Sequence, residues 1–216
     1  AACGAGDDAA QAWLLLLLRE CDGGDVALLS AHANRALAAI GGALRSPTHF
    51  QYDTLAKLAV VKHLGSNAEH KSALELLRIF TEGEVTEFTA FAQKHPKVLE
   101  QLGLEHEGAL AKMRLLSLVS LGHKVMATPT REASFQQVAA ATGVDADAVE
   151  LLVLEAISSG LLDARIDELR GTVRITRSMH RTFGPAQWKA LHNELGEWRT
   201  HVQALLEVIG TAPVSV

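Results

Sequence analysis

The chain has 216 residues, 48% of them apolar, with only 5 Pro and a net charge of −5. That length holds one domain with a good core or two small packed units, and the composition points to a globular, mainly helical protein. The 20 Lys and Arg are dispersed among 25 acids, which excludes a nucleic-acid footprint on the chain as a whole.

Residues 1–8 read as an irregular start, and an opening Ala-Ala-Cys without Met suggests a processed or shortened version of something longer. Cys3 and Cys21 show neither zinc-ligand spacing nor a disulfide framework, which fits a reducing compartment. Ala9 to Glu20 predicts a helix ended by Asp22-Gly23-Gly24. Its run Leu14 to Leu18 is too short to span a bilayer, and Asp7 and Asp8 are the wrong flank for a signal peptide. A cytoplasmic protein without a membrane partner is expected.

Asp25 is placed to cap a second helix, Val26 to Leu44, weakened by Gly41-Gly42 and closed by Ser46-Pro47. A third runs from about Gln51 to Leu64, with Leu55, Leu58, Ala59 and Lys62 on one face and Gly65-Ser66-Asn67 as its stop. Ala68 to Thr81 carries Leu74, Leu77 and Phe80 at helical spacing. Glu84 to Lys94 carries Phe88, Phe91 and Ala92 before Pro96, and Val98 to Leu102 is one short turn ended by Gly103. Short helices and tight turns of this kind fit a helical-repeat solenoid, although no repeat period can be named. A longer helix, Glu105 to about Val125, has so broad an apolar surface that it must be buried on more than one side. Ala127 to Glu132 is read as a linker.

Ser134 to Thr176 then reads as a short helix, a turn, a longer helix and a two-stranded hairpin, the order of a winged helix. Ser134 and Gln137 have capping-box spacing, and Gly143 suits a left-handed helix end. Asp145 or Asp147 starts the second helix, with Glu150 at box spacing from Asp147. Val149, Leu152, Val153, Ala156 and Ile157 form its buried stripe, and Gly160 stops it. Leu162, Ala164 and Ile166, then Val173 and Ile175, alternate with polar residues as a half-buried hairpin does.

The second helix of such a motif often enters the DNA major groove. From Asp145 to Ser159 there are four acids and no Lys or Arg, so the phosphate backbone would repel it. Direct DNA binding is not expected. The second wing strand is instead read as a free sheet edge for another subunit, with Thr172, Arg174 and Thr176 at the interface.

Met179 to Gly184 is an irregular connector, and Pro185 opens the last helix at a favourable first-turn position. Trp188, Leu191, Leu195, Trp198, Val202, Leu205 and Ile209 follow at alternating spacings of three and four, a heptad seam. Its first half has two readings, packing on the chain's own body or on another subunit. Its distal part, Trp198, Val202, Leu205 and Ile209, is expected to join a bundle with other subunits.

No phosphate loop or dinucleotide fingerprint is present, and His106-Glu107 lacks the second His of a zinc-protease motif. His192 and His201 are too far apart for a ligand pair. His180-Arg181 is the most interesting polar pair, and Arg181 is expected to pair with an acid or with helix carbonyls. No catalytic residue, metal or cofactor is expected.

Three stretches carry a family resemblance: LGLEHEGALAKMRLLSLVSLG (Leu102 to Gly122), RIDELRGTVRITRSMHRTFGPAQWKALHNELGEWRTHV (Arg165 to Val202) and, more weakly, FTAFAQKHPKVLEQLGL (Phe88 to Leu104). With the element order they resemble the PCI domain of the proteasome lid, the signalosome and eukaryotic translation initiation factor 3. The AKMRLL and HRTFG-x-x-QW pieces are similar to the factor's subunit M family. His180, Arg181, Thr182, Phe183, Gly184, Gln187, Trp188, Leu191 and Trp198 occupy the matching tail positions. The likeness covers about residues 50–209, and residues 1–45 show none.

The resemblance implies a mainly α fold: a helical-repeat solenoid, a winged helix and a long C-terminal bundle helix. The expected units are an N-terminal helical segment (1–45), repeats and linking helix (46–130), the winged helix (131–178) and the C-terminal helix (179–216). It also implies a non-catalytic scaffold subunit, not a homo-oligomer. Its partners would be other PCI-type and MPN-type subunits of the factor and, through the complex, the small ribosomal subunit. A signalosome or proteasome-lid subunit is the alternative, and a DNA-binding regulator a third class.

Overall fold

Short amphipathic helices fill the first half of the chain in the computed structural model, which describes residues 4–20, 30–65 and 68–211. They are α1 (Gly4–Glu20), α2 (Ala33–Arg45), α3 (Asp53–Lys57), α4 (Ala59–Leu64), α5 (Ala68–Glu82), α6 (Val85–Lys94) and α7 (Pro96–Gln101). Consecutive members pack on one another, α1 on α2, α4 on α5 and α5 on α6. The Asp22-Gly23-Gly24 turn, the Asp25 cap, both cysteines and the Ser66-Asn67 stop lie outside the described residues.

Two helices stand where the sequence suggests one over Gln51 to Leu64. A continuous helix would set Val60, Val61 and Leu64 opposite Leu55. The chain turns extended at Leu58 (φ −60°, ψ 135°), and all of these residues become buried. Lys62, placed on the apolar face by spacing alone, is exposed. The helix α2 runs through Gly41 and Gly42 to Arg45 and closes at Ser46, as the Ser46-Pro47 pair predicts. A Cβ on Gly41 would stand 3.0 Å from the Leu102 carbonyl, so the glycine permits close approach of the segment after α7.

The linking helix α8 (His106–Met126) buries Met113, Leu116, Leu118 and Val119. It packs against α6 on one side and the winged helix on the other. It thereby joins the two halves of the core.

The winged helix comprises β1 (Glu132–Ser134), α9 (Phe135–Thr142), a 3-10 turn (Ala146–Ala148), α10 (Val149–Ser158), β2 (Leu162–Asp167) and β3 (Thr172–Ser178). The Ser134–Gln137 capping box is formed in both directions, and Gly143 closes α9 at φ 64°. The box expected at Asp147 and Glu150 is absent; the 3-10 turn starts the helix without a side-chain cap.

The sheet has three strands, not two, in the order β1-β3-β2, all antiparallel. Glu132, Ala133 and Ser134 pair with Arg174, Val173 and Thr172. The strand bearing Thr172, Arg174 and Thr176 is therefore central, and the reading of it as a free edge is corrected. The residues taken as linker end in a strand that covers it.

Contacts divide the chain after Thr182. Residues 179–182, counted with the tail from the sequence, belong to the first unit. The second contains α11 (Pro185–Thr211), a continuous helix of 27 residues.

Candidate assembly surfaces

Two motif cations are spent inside the first unit. Lys112 is only 7% exposed, in the middle of α8. Its ammonium donates to the carbonyls of Ala43 (3.1 Å), Leu44 (3.1 Å) and Ser46 (2.6 Å), where α2 ends. The rings of Phe50 and Tyr52 lie 5.4 and 5.3 Å from it. Helix C-termini present unpaired carbonyls and partial negative charge, so a cation fits there. Burial lowers its pKa to about 7.

Arg181 repeats the device at the end of α5. It is 8% exposed and donates to the carbonyls of Phe80 (2.9 Å), Gly83 (2.9 Å) and Ile79 (3.4 Å), and to Ser120 Oγ (2.8 Å) on α8. Of the two partner types expected for it, the helix carbonyls are the ones bonded. Burial lowers its pKa to about 10, opposed by Tyr52, Glu82 and Glu84. The neighbouring His180 meets His123 of α8 ring to ring, Nδ1 to Nε2. Burial first, and His180 second, lower the His123 pKa.

The other half of the HRTFG-x-x-QW motif builds the start of α11. The Gly184 N–H donates to Gln187 Oε1 (3.0 Å), and Phe183 packs edge-on to Trp188 at 4.8 Å. Beyond this turn the seam is open. Trp198 is 67% and Leu205 61% exposed, and Trp188, Leu195 and Ile209 are exposed too. Leu206 and Val208, absent from the heptad reading, widen the apolar surface. Burying each large side chain in a bundle is worth roughly 1.5–3 kcal/mol.

On the wing, Thr172 is half-buried while Arg174 and Thr176 are exposed. The Thr176 hydroxyl donates to the Asp163 carbonyl (2.9 Å). Arg174 stands in register between Glu132 and Arg165. Among the described residues, no cluster of three or more His, Cys, Asp or Glu could hold a metal, and no helix is long and apolar enough to cross a membrane.

Comparison with known proteins places these features. The PCI domain family matches residues 92–177, from within α6 to β3, so the linking helix and winged helix define a PCI-domain protein. The eIF3 subunit M C-terminal helix family matches residues 181–209, the segment of Arg181 and the seam. The chain is 37% identical over 128 residues to translation initiation factor 3 subunit M of Nematostella vectensis, covering 59% of this chain and 32% of that one. With the Homo sapiens subunit M it shares 33% over 160 residues (74% and 40%), and with that of Xenopus tropicalis 31% over 201 residues (93% and 50%). The chain belongs to the subunit M family of eukaryotic translation initiation factor 3, and aligns with 32% to 50% of the length of these relatives.

Proposed function

We propose that the chain is a non-catalytic scaffold subunit of eukaryotic translation initiation factor 3, acting in the cytoplasm. It assembles with PCI-type and MPN-type subunits of that factor and, through the complex, supports 43S and 48S preinitiation complexes on the small ribosomal subunit. The observation that carries this reading is the open seam of α11, whose Trp198, Val202, Leu205 and Ile209 fall within the segment matching the subunit M C-terminal helix family. An exposed apolar face of this length requires a cover, and a bundle with helices of other subunits supplies one.

The test is purification of the tagged chain from eukaryotic cells, with mass spectrometry of its partners and sedimentation with small ribosomal subunits. Initiation factor subunits are expected to co-purify, and Trp198→Glu with Leu205→Glu should release them while the circular dichroism of the isolated chain is unchanged. Intact assembly of the double variant, or recovery of signalosome or proteasome-lid subunits instead, would overturn the proposal.

A further inference from the structure

The outer face of α10 is built unlike a helix left to water. Val149, Leu152, Val153 and Ala156 face the core, which satisfies the inward stripe. Leu151 and Leu154 point the other way and are 71% and 55% exposed. Glu155 is exposed one turn from Leu151 on the same face. Asp145 and Asp147 are exposed at the approach to this helix, and Glu150 is half-buried at its first turn.

A groove begins at Glu155 and runs between the end of α2 and the first turns of α8. Phe50, Leu104, Ala109 and Leu115 give it an apolar lining, and Glu105 lies on its rim. Gly108 and Ala111 add no bulk, and a Cβ on Gly108 would meet nothing within 4 Å. Its cations are Arg45, at the end of α2, and Lys112, whose ammonium is already held by three carbonyls. Within the groove these two cations match Glu105 and Glu155, and the excess of carboxylates is that of Asp145, Asp147 and Glu150 on α10 and its approach, beside the two exposed leucines.

We infer that this face of α10 and the adjoining groove dock a basic amphipathic helix from a partner protein. Apolar side chains at three- and four-residue spacing would cover Leu151 and Leu154 and enter the trough. Lys or Arg beside them would meet Glu105, Glu150 and Glu155. Charge decides the class of occupant. Nucleic acid and anionic lipid are both repelled by the α10 face, which has four acids and no Lys or Arg from Asp145 to Ser159, whereas a cationic helix is steered to it. The site is built from residues of the first unit alone and stands whether or not the assembly proposed for the seam of α11 is correct.

The experiment uses the full chain and a short amphipathic helical peptide of leucine and lysine, with a shuffled peptide of the same composition as control. Binding is followed by NMR shift changes and by calorimetry at two salt concentrations. The expected result is shift changes on α10 and the first half of α8, weaker binding at high salt and little binding of the shuffled peptide. Leu151→Glu with Leu154→Glu should weaken binding about tenfold. Glu150→Lys with Glu155→Lys should transfer preference to a leucine–glutamate peptide. Unchanged affinity in both variants, or shifts confined to α11, would overturn the inference. So would single-stranded RNA binding, or self-association of the chain, that Leu151→Glu with Leu154→Glu abolishes.

Discussion

Replacing Arg181 by Ala should lower the stability of the first unit without altering the seam of α11. The guanidinium supplies donors to the Phe80 and Gly83 carbonyls at 2.9 Å and a longer one to Ile79. The Ile79 carbonyl also accepts from the Gly83 N–H, and Ser120 Oγ also donates to Leu116, so neither is left bare by the substitution. Phe80 and Gly83 each lose this donor, at a cost of roughly 1–3 kcal/mol for a buried group. Water entering the space of the lost side chain recovers part of that, which sets the net loss at about 2–4 kcal/mol. For a unit of this size the midpoint of thermal unfolding should fall by roughly 4–16 °C. Arg181→Lys retains a charge but not the fork that reaches several acceptors at once, and should recover only part of the loss. Urea unfolding followed by circular dichroism measures both variants. A loss below about 0.5 kcal/mol for Arg181→Ala, the range of an ordinary surface substitution, would refute the reasoning.

Lys112 makes stability depend on pH. Its folded pKa of about 7 lies below the ordinary 10.5, so between these values the unfolded chain binds the extra proton. Stability should therefore rise as pH increases from about 7 towards 10.5, and Lys112→Met should flatten that rise in urea midpoints measured across the window. Gly122 lets α8 lie close against the sheet, because a Cβ there would stand 3.0 Å from Leu162 Cδ2 and from Ser178 Oγ. Gly122→Val should cost roughly 1–3 kcal/mol by overpacking, read as a lower thermal midpoint.

The winged helix was legible because its elements follow the rules of local patterning. Period-two alternation marked Leu162 to Ile175, and Ser134, Gln137 and Gly143 delimited α9. β1 left no such trace: three residues cannot establish a period, and only the burial of Ala133 against Val173 reveals it. That one omission turned a central strand into an apparent edge. The break at Leu58 has neither Gly nor Pro to announce it and is imposed by the need to bury Leu55 and Val60 together. Lys112 did carry a signal that went unused. A lysine inside a helix expected to be buried on several sides must find acceptors, and the nearest helix end supplied them. Leu151 and Leu154 likewise exceed what a single inward stripe on α10 requires.

Two of the residues that make the chain recognisable are not available to a partner. Lys112 and Arg181, the charged centres of the two most specific motifs, are turned inward onto the carbonyls at the ends of α2 and α5. They fix how the short helices, the linking helix and the connector meet. The surfaces left open include Trp188, Leu191 and Trp198, motif positions of the tail, and Leu151, Leu154 and Glu155 of α10, which lie in none of the three stretches that carry the resemblance. Likeness in AKMRLL and HRTFG therefore reports in part an internal geometry, whereas Trp198, Leu205, Leu151 and Leu154 are the residues proposed to meet partners. Substituting a motif cation should abolish assembly only by unfolding the support. Substituting an exposed leucine or tryptophan should abolish it with the support intact, and this second pattern is what distinguishes an interface from the scaffold beneath it.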